Sequence, residues 1–479
     1  MAHPAQRPPT SVAPRPHQEP ELPINVREGA ASVGISSEHE AVRLVRDPLA
    51  RTIWRVGTPA VASSLLMTVF ASVDAFWVGT RVGPAGLAAV STALFWVWLT
   101  VAIAEMVSVG LTAVAARRHG ERRHDEAALV VGDALLFALA LGTLVAAVGT
   151  FALDALFAAM RTPPAVTALG ARYLHTYLLG APLIFGFFAV DAGFRAAGNT
   201  RTPFLILALS VAITLVLDPV LILGLLGVPK LGIAGAAIAT VSTRAAAFVM
   251  GLVLLIRRRL IRLRVPRLAS VIAVCRVGLP TALTGVLFST IYVILTRTTT
   301  RFGTPALAAL GLGHRVESWF YMIGVGFGAA AAAIVGQNLG AGRPDRAARA
   351  GWITVAYASA PGLLALALMV GVPTQLAAVF TSDPAVVAET ARYLRIAAVA
   401  QLFVAAEVVL EGALGGAGDT VPPMLTSTAI TASRIPIAAW AATRFGTAGI
   451  WWTITLTAVA RGLALMVLWR SGRWTRRKV

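Results

Sequence analysis

Charged side chains are scarce in this chain. Asp, Glu, Lys and Arg make up 13% of its 479 residues, about half the share usual in a soluble protein. That scarcity excludes an ordinary water-facing surface. Acidic residues are the rarer sign, 22 against 41 Lys and Arg. Cysteine is nearly absent: Cys275 stands alone, which excludes an intramolecular disulfide and a thiolate metal cluster. No glycine-rich phosphate loop, nucleophile elbow or HExxH-type motif occurs, which disfavours an ATP-driven mechanism and leaves an enzyme without a catalytic constellation.

What is present is apolar. Hydrophobic residues reach 57% and the mean hydropathy is +0.76. A bilayer can solvate that much apolar surface, whereas a soluble core cannot hide it. The formal net charge of +19 raises the question of nucleic acid. Most arginines, however, sit at the ends of apolar runs, where lipid headgroups and the positive-inside rule account for them. Membrane lipid is the expected partner, nucleic acid is not, and a monomer is expected.

Apolar runs of bilayer length recur at 51–79, 84–116, 127–150, 168–198, 202–227, 231–257, 271–298, 304–336, 347–371, 387–416, 421–443 and 446–470. Residues 1–46 are polar and carry seven prolines, the composition of a disordered tail. Within them Ser37 and Glu40 could open a short surface helix as a capping box. Arginine clusters follow the second, sixth, eighth and twelfth runs, for instance Arg257, Arg258, Arg259, Arg262, Arg264 and Arg267. This bias places both termini of a multi-pass membrane protein in the cytoplasm.

The sequence repeats itself. Arg55-Val56-Gly57 returns as Arg276-Val277-Gly278, Ala171-Arg172-Tyr173-Leu174 as Ala391-Arg392-Tyr393-Leu394, and Ala197-Gly198-Asn199-Thr200 as Ala417-Gly418-Asp419-Thr420, all at an offset of 220 or 221. Gly120 pairs with Gly340 and Asp125 with Asp345 at the same offset. Each repeat holds six spans, so both halves start on one side of the membrane and the repeat axis lies along its normal. The expected domains are a tail (1–46), an N-terminal lobe (47–260), a C-terminal lobe (261–470) and a basic tail (471–479). The fold class is an all-α membrane protein of twelve helices in two pseudo-symmetric bundles. A cleft between two such bundles is where substrate sites lie in transporters of this type.

Several strings are similar to a known family. They are Gly57-Thr58-Pro59 with Val73-Asp74-Ala75-Phe76-Trp77-Val78-Gly79, Leu217-Asp218-Pro219, Gly232-Ile233-Ala234-Gly235-Ala236-Ala237, and His314-Arg315-Val316-Glu317-Ser318 running on to Val335-Gly336-Gln337-Asn338-Leu339-Gly340-Ala341-Gly342. From about residue 50 to 470 the chain resembles a multidrug and toxic compound extrusion (MATE) transporter of bacterial type. The resemblance implies two lobes in a V. It implies export of amphipathic, often cationic small molecules against an inward flow of protons or sodium, with no cofactor. It also implies that Asp74, Asp218, Thr214 and Thr240 form the cation-coupling site, with Asp74 and Asp218 able to hold Na+. The family commonly has asparagine where Thr214 stands, which removes one candidate sodium ligand.

Ionisable groups inside a membrane are functional candidates by default. Pro219 withholds the amide that would bond the carbonyl of Leu215, which leaves a free carbonyl beside the Asp218 carboxylate. Arg244, one turn after Thr240, could instead pair with Asp218 and make it structural. Asp191 and Arg195 are spaced for an intrahelical ion pair. Glu407 and Glu411 share a helix face, so they call for a proton, a bound cation or a wet cleft. Glu317, followed by Trp319 and Tyr321, could take a lipophilic cation by charge and cation–π contact, or could simply pair with His314. Asp191, Glu317, Glu407, Glu411, Trp319 and Tyr321 are the substrate-binding candidates. Competing readings are a flippase for a lipid-linked or polyprenyl substrate, which calls for a basic cavity, and a non-transporting membrane scaffold.

Overall fold

The computed structural model describes residues 43–81, 84–159 and 164–477, so the Ser37–Glu40 capping box lies outside the described residues. Every regular element among these residues is helical. In hydrocarbon each backbone donor needs a partner within its own segment, and runs rich in Leu, Ala, Val and Ile meet that need as helices. The helices are α1 (Leu49–Arg81), α2 (Pro84–Gly120), α3 (His124–Ala159), α4 (Pro164–Leu179), α5 (Ala181–Ala196), α6 (Arg201–Leu223) and α7 (Ile233–Arg257). The second half holds α8 (Leu268–Thr300), α9 (Thr304–Gly340), α10 (Pro344–Gly371), the short α11 (Pro373–Ala378), α12 (Pro384–Ala397), α13 (Gln401–Ala417) and α14 (Val421–Arg470).

Ten helical stretches are long and apolar enough to cross a bilayer, and α4 with α5 makes an eleventh crossing bent by 52°. The twelfth lies within α14. Its 50 residues would extend about 75 Å if straight, far beyond a hydrocarbon core of roughly 30 Å. Gly446 breaks it, with φ 61° and ψ −145°, a conformation that glycine tolerates. Beyond the break the chain returns antiparallel: Arg434 reaches Thr457 and Arg461 reaches Thr431. Gly232, at the start of α7, has nearly the same conformation, φ 58° and ψ −131°. A Cβ on Gly235 would press on the backbone of Leu221, and one on Gly449 on that of Ala441. Both repeats therefore turn the same corner, the first over a longer loop.

The halves meet at the end of the bundle where the described residues begin and finish. A side chain on Gly120 would strike the Gln337 carbonyl, and one on Gly340 would strike the carbonyl of Arg117. These reciprocal contacts place the pseudo-twofold axis between the last turns of α2 and α9. The first helix of each half also leans on the other half. Gly326 packs on Ala60 and Val61 of α1, and Gly278 of α8 packs on Met106. Ile53 and Val56 accordingly belong to the hydrophobic cluster of the second half, and Val274 to that of the first.

Segments at both ends of the described residues close this face. Residues 43–46, assigned to the tail by composition, are helical. Leu44 is buried, fills the space beside Gly198 and accepts at its carbonyl from Asn338. At the other terminus Trp474 stacks on Trp469, with centroids 3.9 Å apart. Arg477 bonds Asp419 at 3.2 Å and accepts from Arg117 at its carbonyl, which ties both halves to one turn of chain.

Candidate functional site

The first candidate centre lies between α1, α6 and α7. The Thr200 hydroxyl, at the start of α6, donates to the Val56 carbonyl of α1 at 2.7 Å. Both helices run away from the termini end. Asp74 is eighteen residues beyond Val56 and Asp218 eighteen beyond Thr200, so their backbones climb to the same depth, about 27 Å along each helix. The side chain of Asp74 lies outside the described residues. Asp218 is fully buried. One turn below it Thr214, also buried, donates to the Ser210 carbonyl and shares a 2.8 Å hydrogen bond with the Thr243 hydroxyl. The predicted partner Thr240 contributes a backbone carbonyl, which accepts from Thr243 at 3.1 Å. Thr243, three residues and nearly one turn after Thr240, is the hydroxyl that reaches α6.

Arg244 does not take up Asp218. Its Nη2 donates to the Met67 sulfur at 3.0 Å, and its guanidinium lies over Phe70 and Phe187 at 5.5 and 5.3 Å. The register explains this. Thr214 faces Thr243, so in the antiparallel pair Arg244 sits level with about residue 213, roughly 8 Å along the axis from Asp218. Asp191 instead pairs with Arg195 at 2.8 Å, and Arg195 also donates to Ser108. The intrahelical ion pair expected from spacing is the one present.

The second half holds a denser polar network. Glu317 accepts from the Tyr393 hydroxyl at 2.8 Å and from Gln401 at 3.1 Å, with His314 at 3.4 Å. Its aromatic surroundings are therefore not the ones the sequence suggested. Trp319 lies two residues on, about 200° round the helix, and is 42% exposed. Tyr393 and Tyr292, which pack on His314, take that place. Glu407 bonds Arg461 at 2.9 Å, so this member of the acidic pair is matched by an arginine on another helix. Arg434, buried, donates to Thr457 at 2.6 Å and has Glu407 and Glu317 among its electrostatic neighbours.

Between the halves, Val109 of α2 meets Gly415 of α13. One turn further from the termini end stand Glu105 and Glu411, at matching positions on these two helices. Tyr321 has Glu411, Glu407, Arg461 and Glu105 as electrostatic neighbours, so it stands where the halves face each other. Glu105, Arg434 and Arg461 were missed in the sequence, although each lies inside an apolar run where a charge is costly. The rule that singled out Glu407 would have found all three. Among the described residues no group of three or more His, Cys, Asp or Glu is arranged to hold a metal ion. On α6, Thr214 stands one turn below Asp218, and Pro219 beside it withholds the amide that would bond the Leu215 carbonyl.

A family model described as MatE matches residues 59–220 and 280–440, once in each half. The chain is 27% identical over 441 residues to a Thermotoga maritima protein that carries the name "Probable multidrug resistance protein NorM", covering 89% of this chain and 93% of that one. It is 27% identical over 358 residues to a protein of Shewanella oneidensis named FAD transporter, covering 74% and 79%. A solved MATE transporter of Vibrio cholerae superimposes with a TM-score of 0.84 at 22% identity, over 92% of this chain and 100% of that chain. At that identity the likeness speaks for the fold.

Proposed function

This chain belongs to the MatE family of multidrug efflux transporters, and from that premise we propose that it is a secondary antiporter. It exports amphipathic compounds, mainly cations, in exchange for protons or sodium. The observation that carries this reading is Asp218, a fully buried carboxylate in a helix whose hydrogen bonding Pro219 interrupts. Such a group is costly in a membrane helix and marks a functional site by default. Asp74, level with it on α1, is the second coupling carboxylate. Thr214 and Thr243 supply hydroxyls one turn below, with Thr240 contributing its carbonyl.

The halves act as rocking lobes, bounded near residues 47–260 and 261–470. The seal made by Gly120, Gln337, Gly340 and Arg117 is the part that must open toward the cytoplasm, the side on which both termini of this bacterial inner-membrane protein lie. Glu105 and Glu411, one from each lobe beside Tyr321, line the path of a cationic substrate, with Asp191, Glu317 and Glu407 deeper in each lobe. The interior carboxylates described outnumber the interior arginines, which favours this reading over a flippase with a basic cavity.

The test uses full-length protein in proteoliposomes. Export of a cationic dye is driven first by a pH gradient and then by a sodium gradient. Asp218→Asn and Asp74→Asn should each abolish the driven component while the protein remains monodisperse. Full driven transport in the double variant would remove the coupling assignment, and equal transport without either gradient would remove the antiport mechanism.

A further inference from the structure

Arg244 is a buried cation whose donors are poorly used. It is 6% exposed. A guanidinium offers five N–H donors. Here Nη2 donates to the thioether of Met67 at 3.0 Å, a weak acceptor, and Nη1 has no partner. Its electrostatic neighbours are Tyr177 and Asp191, and the Asp191 carboxylate is committed to Arg195 at 2.8 Å. No carboxylate pairs with Arg244 among the described residues. A buried charge left in this state is costly, and an acceptor that arrives later recovers the difference.

The surroundings say what kind of acceptor fits. Phe70 and Phe187 lie against the guanidinium at 5.5 and 5.3 Å, and the flat faces of these rings also suit a planar aromatic body. Met67, on α1, is 37% exposed. Its side chain is unbranched and adaptable, so it can give way without moving a helix. A carboxylate is the planar acceptor that two guanidinium donors match side by side.

We propose that Arg244 is the anchor for a carboxylate carried by an aromatic substrate, with the Met67 sulfur holding the place until that group arrives. The first lobe then selects zwitterionic or anionic aromatics, beyond the cations that the carboxylates between the lobes would take. This rests on the reading of the chain as a transporter of small amphipathic molecules, but its test does not depend on coupling.

The measurement is equilibrium binding to purified full-length protein, read by fluorescence polarisation, with no gradient. The probes are a rhodamine with a free carboxylate and the same rhodamine as its methyl ester. Arg244→Gln should weaken the acid by about tenfold or more and change the ester by less than about twofold. Arg244→Lys should retain part of the acid binding, because the charge remains without the planar fork. Should Arg244→Gln fail to fold, Met67→Glu serves instead: an internal carboxylate placed on the guanidinium should exclude the acid and spare the ester. Equal losses for both dyes in Arg244→Gln would overturn the proposal, as would acid binding at the wild-type level in Met67→Glu or a wild-type protein that does not bind the acid. Driven ester transport in proteoliposomes reports on the antiport reading separately, so the two ideas can fail independently.

Discussion

Arg434 donates from Nε to the Thr457 hydroxyl at 2.6 Å, in the place where the first repeat joins Thr214 to Thr243 by two hydroxyls. Arg434 follows Thr214 at the repeat offset of 220. Thr457 stands eleven residues after the corner glycine Gly446, as Thr243 stands eleven after Gly232. The two lobes thus keep one scaffold and carry different chemistry at its matching points. A neutral pair lies below Asp218, and a cation lies beside Glu317 and Glu407.

That difference should appear in stability. Valine replaces threonine with little change in shape and removes the acceptor. Thr243→Val breaks a neutral bond and should cost about 1 kcal/mol. Thr457→Val strips a buried guanidinium of its short partner and should cost about 2–3 kcal/mol. Thermal unfolding of each variant in the same detergent compares them, and equal shifts would show that charge plays no part.

The Glu407–Arg461 pair is buried, at 5% and 10% side-chain exposure. Removing one member strands the other. Glu407→Gln and Arg461→Met should each destabilise by about 3–5 kcal/mol, whereas the double variant should recover much of that loss. A double-mutant cycle by thermal unfolding checks this. Additive losses would mean that the two side chains do not interact.

Gly120 and Gly340 hold the lobes together through carbonyl contacts that leave no room for a side chain. Alanine at either site should cost about 1–3 kcal/mol of local overpacking and should push the termini end open. Spin labels placed on α2 and α9 near that end, in a Cys275→Ser background, should report longer distances in either variant. Unchanged distances would contradict the assignment of these glycines to the seal.

Thr200 and Thr420 donate to Val56 and Val277, each at 2.7 Å. These twin bonds pin the fifth span of each repeat to its first. Thr200→Val and Thr420→Val should each lower stability by about 1 kcal/mol, to similar extents. In the first lobe the variant should also loosen the shared depth of Asp74 and Asp218 and lower the driven fraction of transport, a loss that Thr420→Val should not show.

Much of the architecture was legible before any coordinates. The split of α14 into spans at 421–443 and 446–470 follows from length and glycine, because a single crossing cannot use so many residues. The Asp191–Arg195 pair was legible as well, since helical spacing alone brings residues four apart together. Pairing across helices was not. Nothing local indicates that Glu407 meets Arg461, that Thr243 rather than Thr240 faces Thr214, or that Arg244 leans on Met67.

The sequence by itself determined the solvent, the number of crossings and the duplication, because apolar length, basic loops and recurrence at a fixed offset are properties of the chain read in order. Only the tertiary structure decided which charges meet. That outcome depends on the rotation of each helix about its axis and on the register between neighbours. A step of one residue turns a side chain by about 100°, enough to exchange a carboxylate for a thioether as the partner of a buried arginine.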